Sequence, residues 1–559
     1  MKYIPALDRL KINPDNEGKI VGRATAGRWS CDYAGLVIYG DFQAGAPSAE
    51  AVLADYLGGR LDFNRLIGSF RLVLTEASSG KQVIFTDNSG ILCFYLDFAE
   101  KKFSESFLTL LQAKKNLRPN YQGITYFLLH NAIFSQETIC ADVERSDPNQ
   151  YYVTENGRIN VYSKNLRPFG APQSFASLNS IIRRLVEATN ELKTEAVITG
   201  GTDSRAILAN LLALGIRPEL SISGKAEHVD VKIARRIAEF LQLPLHISLD
   251  DPPESGTDWL LESFLAGDGV TGTLGYRRLY RKSVMIRDLG FQLEFGGASG
   301  ELYKNIFIQQ DYPFYSFGDP NLKRMHRVLF ARSLPPDLIG EAIINPLSRL
   351  KGDLLNRLSH FGGRTKLQVY NEIGYFIMRC RITTISNLNY YACAHPLMER
   401  NAAALVYHRT PKLLEMASFQ REEINRHYPL LADLPTSLGL SCSLAPQTLR
   451  REWLSTRSKD LIKMPLKALI RRFIPMGLDH RRDVCFDAGL KSDEYHHALT
   501  ACKAMGLIPN WTRPENIPEA LADRLLTVGL AFSPKQWDAS QKSCGDALAI
   551  ESDFAILSE

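Results

Sequence analysis

Nine cysteines are scattered along the 559 residues, and none forms a Cys-x-x-Cys pair. That spacing excludes a zinc ribbon or a thioredoxin-type redox pair and leaves buried, reduced thiols as the expectation. No window approaches about 18 uninterrupted apolar residues, so no transmembrane helix is expected. The first nine residues, Met-Lys-Tyr-Ile-Pro-Ala-Leu-Asp-Arg, lack a signal-peptide apolar core, and the expected location is cytoplasmic. Charge of one sign is also scarce. A net charge of +5 is too small for this length to argue for nucleic-acid binding. Internal repeats and low-complexity tracts are missing. The eleven histidines are mostly isolated, and the pair His496-His497 reads as surface. Ser204 has no nucleophile-elbow context, which sets hydrolase chemistry of that kind aside.

What is present is ordinary globular composition, 45% hydrophobic and 23% charged, in a chain long enough for two to four domains. The N-terminal part reads as strands: residues 35–39 (Gly-Leu-Val-Ile-Tyr), 68–75, 82–85 and 91–96, with turns at 77–80 and 87–90. A helix is expected near 104–114 and a hairpin across 147–154 and 157–162, followed by a linker at 164–177. Beyond residue 177 the pattern alternates between helix and strand, as in a parallel sheet. The helix 181–191 leads to a strand at 196–198, a helix ending at Gly215, and a strand at 219–223. A helix capped by Asp230, with Ile233, Ala234, Ile237, Phe240 and Leu241 on its apolar face, leads to a strand at 243–248. The rest is mainly helical, including 367–389 and short helices after 492.

The stretch 195–205 (Glu-Ala-Val-Ile-Thr-Gly-Gly-Thr-Asp-Ser-Arg) is where chemistry concentrates. A short strand runs into two glycines, three polar residues and a helix. Glycines let the chain turn sharply beside a bulky anion, and the unpaired N–H groups of a helix N-terminus suit phosphate. The hydroxyls of Thr199, Thr202 and Ser204, with Gly200 and Gly201, form a candidate pyrophosphate cradle. Asp203 stands where it can hold a divalent cation. Ser223 and Gly224 end the next strand and complete the floor for phosphate and adenine.

These residues resemble the Ser-Gly-Gly-x-Asp-Ser loop of ATP pyrophosphatases of the asparagine-synthetase family. Other motifs carry the same resemblance in altered form. Gly68-Ser-Phe70 and the 87–95 turn are similar to the family's glutamine-amidotransferase domain, but Lys2 stands where its nucleophilic cysteine would follow Met1. The family's Asn-Gly-Glu-Ile-Tyr-Asn glutamine pocket also lacks a counterpart, so glutamine hydrolysis is not expected. Residues 294–303 (Glu-Phe-Gly-Gly-Ala-Ser-Gly-Glu-Leu-Tyr) look like the family's second ATP-site motif. Gly297 replaces its glutamate or tyrosine, and Gly300 replaces a magnesium-binding aspartate, leaving Glu301 as the nearest carboxylate. Residues 394–400 resemble the family's substrate-pocket wall, with Ala392 where a glutamate is usual.

The resemblance implies an α+β amidotransferase-like sandwich (1–165), an α/β ATP-pyrophosphatase domain (178–480) and a helical C-terminal extension (481–559). It implies ATP and Mg2+, with Asp203 and Glu301 on the metal and Arg205 countering charge beside Asp203. The implied reaction joins a small-molecule or peptide carboxylate to ammonia or a substrate amine through an acyl-adenylate. A lasso-peptide macrolactam cyclase and a nucleotide-binding pseudoenzyme remain alternatives. The basic stretch 450–482 is a candidate surface for a precursor peptide or an acidic substrate.

Overall fold

The alternation of apolar and polar residues in the N-terminal segment builds a six-stranded antiparallel sheet, a four-stranded sheet in which Lys2–Tyr3 pairs parallel with Lys102–Ser104, and a two-stranded ribbon. The computed structural model describes residues 2–3, 21–250, 258–304, 306–309, 318–330, 332–361, 365–382, 392–409, 417–437, 439–452, 454 and 488–533. Six strands lie in the order Arg158–Ser163, Gln150–Glu155, Gln82–Thr86, Phe70–Glu76, Trp29–Gly35 and Val21–Ala26. Successive side chains point to opposite faces. Val83 and Phe85 therefore join Phe70, Leu72 and Leu74 against the helix Ala46–Leu57. Ile84 and Tyr152 turn the other way and meet Leu96 and Phe103 of the second sheet. The Asn156-Gly157 turn has φ of 50° and 69°, the backbone that an Asn-Gly hairpin supplies.

Two expected strands are shorter than their apolar runs. At Gly35 φ is 90°, and a Cβ there would stand 2.3 Å from the Ser69 carbonyl oxygen. The run 35–39 therefore splits into the end of Trp29–Gly35 and the short strand Ile38–Tyr39. In 91–96 the Asp87 carboxylate accepts the N–H groups of Ser89 (3.0 Å), Ile91 (3.0 Å) and Leu92 (2.9 Å). Those groups are lost to a ladder, and only Tyr95–Asp97 pairs as a strand.

The helix–strand alternation gives a five-stranded parallel sheet in the order Leu245–Leu249, Glu219–Gly224, Thr194–Val197, Leu293–Phe295 and Ala392–Ala394. Numbered along the chain this is 3-2-1-4-5, so the order reverses between Thr194–Val197 and Leu293–Phe295. Ligands of such sheets bind at that reversal, beyond the carboxyl ends of the strands. The helix Leu178–Ala188 begins in a Ser177–Ser180 capping box. Gly215, at φ 81°, stops the chain just past Asp203–Ala213. The next helix, Val229–Leu241, starts one residue earlier than its expected cap: His228 accepts from the Asp230 N–H at 3.2 Å. The Asp230 carboxylate is thereby available elsewhere. Phe240, expected on the buried face, is 47% exposed.

The helix expected at 367–389 is Lys366–Ile382 within the described residues. Further on, Asp493–Ala504 and Glu519–Ala531 pack back onto the body of the molecule. Asp523 accepts from the Leu274 and Gly275 N–H groups at 2.6 and 3.2 Å, capping Thr273–Asp288 from a distance. One apolar core runs from Leu36 to Ala531 and joins all three parts of the chain. The seven described cysteines are buried and form no disulfide with one another, and His496 and His497 are exposed. Among the described residues no helix is long and apolar enough to cross a membrane. Apart from residues 450–452 and 454, the basic stretch 450–482 lies outside the described residues.

Candidate functional site

The strand Thr194–Val197 delivers the loop 199–204 to the point of reversal. Ser204 Oγ accepts from the Thr199 N–H at 3.0 Å and stands 3.1 Å from Thr199 Oγ1. Thr199 Oγ1 also accepts from the Gly201 N–H at 3.3 Å. The two ends of the loop are thus stitched to each other. The Gly200 N–H donates to Asp230 Oδ1 at 3.1 Å, and the Gly200 carbonyl accepts from Ser437 N at 2.9 Å. Thr202, at the N-cap of Asp203–Ala213, makes no capping bond with its side chain. The first turn of that helix therefore keeps the positive end that attracts anions.

The second glycine turn meets the first. A Cβ on Gly297 would lie 2.5 Å from the Ser204 amide nitrogen, and one on Gly300 would lie 2.0 Å from Asp203 Cγ. A side chain at 297 would push the loops apart, and one at 300 would displace the Asp203 carboxylate. Asp203 is held from two sides: Lys304 Nζ is 2.6 Å from Oδ2, and Gln420 Nε2 donates to Oδ1 at 2.9 Å. The same Gln420 amide donates to the Gly300 carbonyl at 2.9 Å, tying both turns to the helix Ser418–His427. Burial pushes the Asp203 carboxyl upward, and the Lys304 ammonium opposes that shift.

Glu301 lies half-buried in the turn Gly300–Lys304, close enough for its charge to raise Asp203 further. Ser223 and Gly224 end the adjacent strand, on the same carboxyl edge. Arg205 goes elsewhere. It is wholly buried, and its guanidinium donates to the carbonyls of Leu434 (2.7 Å), Pro435 (2.9 Å) and Leu431 (3.3 Å). The side chain fastens this helix to the 431–435 segment rather than facing the mouth of the loop.

The residues suit the phosphates of a nucleotide: hydroxyls, a helix N-terminus and closely packed glycines. For magnesium the fit is conditional, because the Asp203 carboxylate already carries the Lys304 ammonium group. Mg2+ is commonly bound by one or two carboxylates together with substrate phosphates. The site therefore fits an ion that arrives with the nucleotide and displaces Lys304.

The structure thus brings Thr199, Gly200, Gly201, Thr202, Asp203 and Ser204 together with Gly297, Gly300 and the Glu301 turn. Lys304, Gln420 and Asp230 complete the cluster; the sequence singled out Asp230 only as a helix cap, and the other two not at all. Lys304 sits one residue past the second glycine motif and was within reach of its pattern. Gln420 comes from 217 residues away and carried no local signal. No family model matches the chain, and no curated protein matches its sequence.

Proposed function

We propose that this chain is an ATP-dependent ligase of the asparagine-synthetase type that activates a carboxylate and transfers it to nitrogen. The observation that carries this reading is the meeting of two glycine turns where the parallel sheet reverses its order. A carboxylate oxygen attacks the α-phosphorus of ATP, the bond to the β-phosphate oxygen breaks, and pyrophosphate leaves. Thr199, Thr202, Ser204 and the first N–H groups of Asp203–Ala213 receive that pyrophosphate. Ser223 and Gly224 floor the adenosine side. Asp203, with Glu301 beside it, would hold the magnesium of the nucleotide complex, which offsets phosphate charge. Ammonia or an amine then attacks the acyl carbon, and AMP leaves with the bonding electrons of the acyl–oxygen bond. The experiment is pyrophosphate release from ATP with candidate carboxylates, repeated with Asp203→Ala.

One observation favours a second reading. Lys304 neutralises Asp203, and Asp230 places a carboxylate on the Gly200 N–H. The loop then carries an internal cation and an internal anion, as in a nucleotide-binding protein that forms no bond. ATP binding without pyrophosphate release, under any carboxylate and amine, is what that reading expects.

A further inference from the structure

We propose that Glu294, Cys393 and His395 form a site for a divalent transition-metal ion of the zinc type, separate from the ATP loop. Glu294 and Cys393 come from neighbouring parallel strands, and His395 directly follows the end of Ala392–Ala394. Glu294 pairs directly with Cys393 in the register of Leu293–Phe295 on Ala392–Ala394. His395 follows two residues after Cys393 and therefore points to the same face. One ligand atom from each residue lies within 4.8 Å of the others. Among the described residues this is the one such group of histidine, cysteine and acidic side chains.

A second observation points to a ligand. His395 is 8% exposed, yet its Nδ1 has no hydrogen-bond partner. That nitrogen packs over Gly296, where a Cβ would stand 2.6 Å from Nδ1 and 3.4 Å from Glu294 Oε1. Glycine at 296 leaves room for imidazole and carboxylate to approach the same point. The other carboxylate oxygen, Oε2, is 2.5 Å from Lys282 Nζ, and Lys282 reaches Glu195 Oε1 at 3.5 Å. Lys282 thus bridges the two buried carboxyl groups of Glu195 and Glu294.

The donor set names the class of metal. Thiolate, imidazole and carboxylate suit zinc and its cobalt substitute, whereas magnesium prefers oxygen donors alone. Zinc–ligand bonds of about 2.0–2.3 Å require the donors to close in by on the order of 1 Å. Binding would release the Cys393 proton and pin the three-residue edge strand Ala392–Ala394 to its neighbour.

The test uses the full chain, stripped with chelator and titrated with Co2+ and then Zn2+. One cobalt per chain is expected, with a thiolate-to-cobalt absorption band that zinc abolishes, and a thermal midpoint that rises with zinc. Cys393→Ala and the near-isosteric Cys393→Ser should both lose the band. His395→Ala should weaken zinc binding by at least about tenfold. Asp203→Ala should leave it unchanged, so failure here is distinguishable from failure of the ligase reading. Absence of a thiolate band in the folded wild-type chain, or full zinc affinity in the His395 variant, overturns the proposal.

Discussion

Asp203 and Lys304 set the character of the candidate site. Their contact of 2.6 Å places an ammonium group where a nucleotide-borne cation would sit. Replacing Lys304 with Met removes that competitor. The magnesium concentration for half-maximal pyrophosphate release should fall several-fold in K304M, as a titration at saturating ATP would show; an unchanged value would mean the lysine does not compete. Arg205 has a different role, since its buried guanidinium satisfies three carbonyls around 431–435. Arg205→Met leaves those acceptors unpaired, at a cost of about 2–4 kcal/mol by the usual penalty for buried polar groups. Denaturant unfolding measures it. The sequence suggested that Arg205 counters charge at the loop, whereas its guanidinium turns to the 431–435 carbonyls. A helix residue's direction depends on its neighbours in space, and those lie about 230 residues away.

At the scale of elements, local chemistry was legible wherever the partner was also local. The Asn156-Gly157 hairpin, the Ser177 capping box and the Gly215 stop follow from residues within four positions of one another. Asp87 shows where apolar pattern alone misleads, because a carboxylate can take the N–H groups that a strand would use. The cap on Thr273–Asp288 could not be read at all, since it comes from Asp523. Asp523→Ala should destabilise the chain by about 1–2 kcal/mol, the range of lost helix caps. Asp523→Asn, which keeps an acceptor, should recover most of it. Equal losses in the two variants, read by thermal unfolding, would contradict the capping role.

At the scale of the molecule, the parts expected as separate domains share one apolar core from Leu36 to Ala531. Polar ties cross between them too. Glu399 Oε1 accepts from the Gly68 N–H at 2.9 Å, and burial pushes its carboxyl from the usual 4.5 to about 8. The folded chain then keeps a proton that the unfolded chain releases near 4.5. Between about pH 4.5 and 8 the folded state binds more protons, so this group makes stability fall as pH rises. Glu399→Gln should flatten that fall, measured by denaturant unfolding at several pH values. A slope identical to wild type would contradict it.

The sequence showed the antiparallel meander around 68–96 through its strand-and-turn pattern and the parallel sheet through strand–helix alternation after 177. It also located the loop, because glycine, hydroxyl and acid cluster there within six residues. It did not show that Gly297 and Gly300 press against that loop, nor that Gln420 bridges them. Those contacts depend on the strand order 3-2-1-4-5, which no local pattern encodes.

On the proposed reading, this junction releases pyrophosphate from ATP when a carboxylate is activated. The direct measurement is carboxylate-dependent pyrophosphate formation with MgATP, for the wild-type chain and Asp203→Ala of equal fold. Release is expected in the wild type, with loss of at least about a hundredfold in the variant. Equal rates in the two proteins, or ATP binding with no release under any carboxylate, would contradict it.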